Sequence, residues 1–125
     1  MMVRAILIDP FTETVSNVTL VDTKLKTIYN LLGCNLITIT SAFGANMVLD
    51  DEGLLKDSTS QKYFKIGIDS QPYAGKALLV GSDGGGNFAS LEKNITTEKV
   101  FEKIIFFKPS ENHLEESREI KFIPF

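Results

Sequence analysis

At 125 residues with a formal net charge of −3, the chain fits one domain and lacks the basic field that nonspecific nucleic-acid binding requires. Its 43% hydrophobic content, with nine Phe and no Trp, is enough for a core without metal or disulfide staples, and a single cysteine, Cys34, excludes an intramolecular disulfide. No stretch approaches the ~18 apolar residues of a membrane span, and the opening MMVRAILIDP is too short and poorly flanked for a signal peptide, so a reducing cytoplasm is the expected compartment.

Val3 to Ile8 is a nearly continuous apolar run, which predicts a strand buried on both faces and ended by the turn pair Asp9-Pro10. Thr14 to Leu20 is rich in β-branched residues, with Val15, Val18 and Leu20 as its apolar set, and the two segments together predict a hairpin. Asp22 is an N-cap candidate for a helix whose apolar face is Leu25, Ile28, Tyr29 and Leu32; Gly33 falls where a left-handed C-terminal cap places glycine.

Residues 35–42 alternate Ile and Thr, predicting a half-buried strand, and Phe43 to Asn46 supplies a turn into the apolar run Met47-Val48-Leu49. Asp50-Asp51-Glu52-Gly53 reads as a polar tip, and 54–61 as loop or a helical turn. Tyr63 to Ile68 suits a strand or a short helix, and 69–75 a loop in which Pro72 drives Gln71 to extended conformations. Ala77 to Val80 is expected as a short buried strand running into Gly81-Ser82-Asp83-Gly84-Gly85-Gly86-Asn87, the stretch expected to be most flexible.

Thr96 is the expected N-cap of a second helix, with Ile95 and Val100 as a hydrophobic staple and Val100, Phe101 and Ile104 as its apolar face. Ile104 to Phe107 is strand-like and stops at Pro109. Irregular alternation with evident hairpins favours an α+β class. The expected architecture is one domain with a mainly antiparallel sheet, two short helices and a strand-like C-terminal tail, divided as a compact 1–109 and a tail 110–125.

The glycine run after a strand suggests an anion-contacting loop, because glycine lets backbone N–H groups approach an anion closely. Walker and dinucleotide fingerprints both fail there, and a plain flexible hairpin is the simpler expectation. If a nucleotide-like ligand binds, the candidate residues are Tyr73 for stacking, Lys76 for charge, and Gly84, Gly85, Gly86 and Asn87 for N–H contacts. Asp50, Asp51 and Glu52 could chelate a divalent cation, but three consecutive residues diverge in extended chain, so a solvated tip is the expectation.

His113 is the sole histidine and sits in the acidic segment, a poor place for a held base, and Cys34 follows a helix end whose dipole disfavours thiolate. No catalytic residue, metal site or cofactor is expected. In the tail, Ile120 and Phe122 flank Lys121 in a strand pattern; with Phe125 they are expected to dock as an edge strand on their own sheet or to add to a second subunit or target protein.

Ala5-Ile6-Leu7-Ile8-Asp9-Pro10, Ile28-Tyr29-Asn30-Leu31-Leu32-Gly33-Cys34, Asp50-Asp51-Glu52-Gly53-Leu54-Leu55-Lys56 and Gln71-Pro72-Tyr73-Ala74-Gly75-Lys76-Ala77-Leu78-Leu79-Val80-Gly81 occur in this order. That succession, over about residues 2–107, resembles an uncharacterised family of small proteins of bacteriophages, prophages and their hosts, a domain of unknown function. The resemblance implies a cytoplasmic, phage-associated accessory protein and carries over no catalytic residue. The tail from Ser110 and the glycines 84–86 depart from the family pattern. The expected function is non-enzymatic binding that inhibits or sequesters a host or anti-phage defence component, either a protein surface or a small nucleotide signal, with homo-oligomerisation through the tail. The alternative is a small metal-dependent phosphodiesterase acting on nucleotides through Asp50, Asp51 or Glu52.

Overall fold

The computed structural model describes residues 2–52, 61–68, 70–85 and 87–107. Among these residues, nine strands and two helices run in the order β1 (Val3–Asp9), β2 (Thr14–Leu20), α1 (Leu25–Leu32), β3 (Ile37–Ala42), β4 (Ala45–Asp50), β5 (Tyr63–Ile66), β6 (Tyr73–Ala74), β7 (Ala77–Ser82), β8 (Phe88–Ala89), α2 (Thr97–Lys103) and β9 (Ile104–Phe107). The α+β class with a mainly antiparallel sheet holds: every strand pairing is antiparallel. The larger sheet has the order β2-β1-β7-β4-β3, with β8 paired to the end of β7, and a smaller one has the order β6-β5-β9.

The hairpin expected from Val3 to Leu20 forms over seven Cα pairs, from Val3 opposite Leu20 to Asp9 opposite Thr14. β7 is the spine of the sheet. Ala77 to Val80 are fully buried because β1 covers one edge, β4 the other, and a core lies against each face. Alternation along β1, β4 and β7 sorts their side chains between those cores. Ile6, Ile8, Met47, Leu49, Ala77 and Leu79 pack with Phe64 and Ile104 of the smaller sheet and Val100 of α2. Val3, Ala5, Val48, Leu78 and Val80 pack with Ile28 and Leu32 of α1. The molecule is therefore layered: α1, the large sheet, then the small sheet with α2.

Gly33 closes α1 in the left-handed region at φ 69°, with its N–H donating to the Tyr29 carbonyl, as the sequence predicted. The N-terminus differs from expectation. Lys24, not Asp22, occupies the cap position, and Asp22 works from two residues earlier, accepting from Lys24 N at 2.9 Å and Thr27 Oγ1 at 2.7 Å. Those two bonds hold the Asp22 carboxyl below its ordinary pKa, Thr27 contributing most. Leu25 is 52% exposed, so the buried stripe of α1 is Ile28 and Leu32 with Tyr29 at its margin.

Thr96 caps α2 as expected, accepting from Lys99 N at 3.3 Å, and Ile95 and Val100 are both buried beside it. Phe101 is exposed on α2, whose buried residue is Val100, and Ile104, also buried, opens β9 because α2 ends after seven residues. Residues 38–41 are exposed where a half-buried strand was expected, since β3 is the sheet's last strand. Tyr63–Ile66 resolves as strand, and the expected loop from 69 contains the two-residue strand β6. The segment 54–60 and the tail from 108, including its proposed boundary at 110, lie outside the described residues.

Arg4 fastens the long 90s connection to the sheet. Its guanidinium donates to Asn17 Oδ1 at 2.9 Å, the Glu92 carbonyl at 2.8 Å and the Ile95 carbonyl at 2.6 Å, while Leu91 N donates to the Arg4 carbonyl at 2.9 Å. No helix among the described residues is long and apolar enough to cross a membrane.

Candidate functional site

The residues expected to make one ligand site do not come together. Lys76 precedes β7 and Asp83 follows it, so Lys76 and the glycine turn are separated by the strand's six residues, roughly 20 Å at a strand's rise. Tyr73 turns its ring inward, 5.4 Å from the Phe64 ring, in the core between the two sheets. Gly86, Ile120, Phe122, Phe125 and His113 lie outside the described residues.

The described N–H groups of the glycine turn, those of Gly84, Gly85 and Asn87, bond within the turn. Asp83 accepts from Gly85 N at 2.7 Å, Asn87 N at 3.2 Å and Asn87 Nδ2 at 3.2 Å, and Ser82 Oγ accepts from Gly84 N at 3.2 Å. Asp83 thus already occupies the place an anionic ligand would take. Gly81 and Ser82, expected to be flexible, belong to β7 and pair with Ala89 and Phe88.

The bonds from Gly85 first, then Asn87, hold the Asp83 carboxyl below its ordinary value of 3.8. A depressed acid stabilises the fold above its unfolded pKa and loses that contribution as pH falls through the folded value. Acidification below about 3.8 is therefore expected to lower the protection factors of the Gly85 and Asn87 amides, taken against the intrinsic rate at each pH, ahead of that of Leu79, and Asp83→Ala should abolish that dependence. Protection factors that stay constant across the pH series would refute it.

Lys76 instead lies in a cleft of about 450 Å³ at the other end of β7, lined also by Asp9, Phe11, Thr12, Leu32, Gly33, Asp50, Gln61 and Gly75. Strand register explains the grouping. Ile8 and Leu49 both stand opposite Ala77, one on each side. One residue further along each strand, Asp9 and Asp50 flank Lys76, and alternation puts all three on the face that carries α1. The C-terminal turn of α1 closes one side at Leu32 and Gly33 and contains no basic residue.

Both carboxylates are steadied by their own turns: Asp9 Oδ1 accepts from Phe11 N at 2.9 Å and Asp50 Oδ1 from Glu52 N at 2.9 Å. Gln61 is buried below the rim, 6% exposed, near Gly75. Phe11 is 41% exposed and lines the cleft. A lysine with an aspartate on the strand to either side of it can offer a small polar ligand both a donor and acceptors. Sequence reading missed Asp9, Phe11 and Gln61; Asp9-Pro10 signalled only a turn.

Of the acids considered for a metal, Asp51 and Glu52 are exposed and only Asp50 reaches the cleft. Among the described residues no group of three His, Cys, Asp or Glu is placed to hold a metal ion. Cys34 is buried in the core beneath α1.

A family model described as a domain of unknown function (DUF3846) matches residues 3–105. No curated protein and no solved structure matches the chain.

Proposed function

Since the chain belongs to this family of domains of unknown function, we propose from its geometry that it is a non-enzymatic binding protein holding a small nucleotide signal in the Lys76 cleft. The setting is that of a phage accessory protein in the cytoplasm of an infected bacterium, where sequestering the signal inhibits a host or anti-phage defence component. One observation carries the reading: three strands distant in sequence bring Lys76, Asp9 and Asp50 to one rim. The cleft's volume falls in the range of about 300–1,000 Å³ used by small-ligand sites. Phe11 offers a stacking face, the carboxylates accept from ribose or base donors, and Lys76 donates to a ligand oxygen.

Titration calorimetry of the full chain with a panel of mononucleotides and cyclic nucleotides tests this. Binding with one ligand per chain is expected, weakened by about tenfold in Lys76→Met, the usual loss when one charge-assisted hydrogen bond is removed. Binding that survives Lys76→Met unchanged would move the site elsewhere.

A further inference from the structure

We propose that the outer edge of β3 pairs antiparallel with the β3 edge of a second copy of the chain, about a twofold axis at Ile39. The pairing does not depend on the cleft. β3 is the last strand of the large sheet, paired among the described residues with β4 alone. At the sheet's other edge α2 packs against β2.

The hairpin decides which backbone groups of β3 are left over. Phe43 and Gly44 join β3 to β4 with φ of 58° and 76°, the two left-handed residues of a type I′ turn. Such a turn makes its flanking pair, Ala42 and Ala45, a hydrogen-bonded one. Alternation then makes Thr40 with Met47 and Thr38 with Leu49 bonded pairs too. The 3.0 Å bond from Asp51 N to the Leu36 carbonyl continues the same parity. Ile37, Ile39 and Ser41 therefore aim their N–H and C=O groups away from β4. These three lie symmetrically about Ile39. A second β3 running the other way sets Ile37 opposite Ser41, and Ile39 opposite its own copy. No other antiparallel register uses all three.

Side chains agree with that register. Ile39 stands opposite Val48, hence on the face carrying α1, and is 50% exposed. Against its copy it gains a β-branched neighbour, and on the other face Thr38 meets Thr40, a favourable cross-strand pair. From Thr27 to Leu49 the sequence holds no charged residue, so nothing repels an identical edge and nothing attracts a charged partner. Edges that stay single are commonly blunted by lysine, proline or a bulge, and β3 has none of these. Its six residues bury little area, so a reversible dimer of about micromolar strength is expected, not an obligate one.

Sedimentation equilibrium of the full chain from about 1 μM to 1 mM tests this. A monomer–dimer equilibrium is expected, weakened at least about tenfold by Ile39→Lys, whose ammonium would face its own copy. Phe101→Lys, at a similarly exposed apolar position on α2, should leave it unchanged. Ile39→Cys reads the register directly, and keeps the test open should Ile39→Lys fold poorly. Bonded antiparallel partners have Cα atoms about 5.5 Å apart, within disulfide reach, so mild oxidation should link two chains. Ile37→Cys, out of register with its copy, should not link, and neither should wild type, whose Cys34 is buried. A chain that stays monomeric throughout overturns the proposal. So does a dimer untouched by Ile39→Lys, or oxidation that links Ile37→Cys as readily as Ile39→Cys.

Discussion

Phe64→Ala is expected to destabilise the domain by about 3–5 kcal/mol, the cost of emptying a fully buried aromatic position. Phe64 is 0% exposed and stands at the centre of β5, opposite Tyr73 on one side and Phe106 on the other. Among the described residues it is the largest fully buried side chain, and it packs with Ile6, Ile8, Met47 and Leu79 of the large sheet. Its removal leaves a void that two hydrogen-bonded layers cannot close over, and it forfeits the tilted contact with the Tyr73 ring. Chemical denaturation should show the loss with little change in slope, and a thermal midpoint lower by roughly 10–20 °C. A loss below about 1 kcal/mol would mean that the inter-sheet core is not what holds the layers together.

Gly81→Ala is the second large effect, expected at about 2–4 kcal/mol. A Cβ at Gly81 would collide with the Ser90 carbonyl oxygen and lie 3.2 Å from that of Ala89. Both obstacles are backbone, so no rotamer change relieves the clash. β8 would have to lift away from β7, breaking the pairing of Gly81 with Ala89. The strain then passes to the connection behind it, where Arg4 N donates to Ser90 Oγ at 3.0 Å and Leu91 N donates to Arg4 O. Gly85→Ala is the control. Its Cβ would meet only Asp83 Oδ1 at 3.4 Å, and a change of less than about 0.5 kcal/mol is expected. Equal stability of the two variants by thermal melting would show that β8 is not seated as described.

Gly81 lies at the opposite end of β7 from Lys76, and Phe64 packs on the other face of the sheet, between the two layers. A variant that still folds should therefore bind at the cleft as before. That separates a damaged scaffold from a damaged site, which Lys76→Met is chosen to affect.

The sequence by itself determined what is local. Seven-residue β-rich runs around Asp9-Pro10 make the first hairpin, and Ile28 and Leu32 at helical spacing ahead of Gly33 make α1. Thr96 with Ile95 and Val100 starts α2, because caps and staples act within four or five residues. The glycine turn was local too, but glycine content drew the eye to a ligand while Asp83, within the same turn, was already taking the N–H groups.

Tertiary structure alone decided the candidate site. Tyr73 and Lys76 are neighbours in sequence, yet one packs between the sheets and the other opens onto the face with α1. Asp9, Asp50 and Lys76 are far apart in sequence and become neighbours through the registers of β1 and β4 on β7. Those registers follow from which apolar residues of three distant strands can be buried against α1 and against the small sheet at once. A one-residue slip would turn each strand's set to the wrong face, and that condition exists only in the assembled layers.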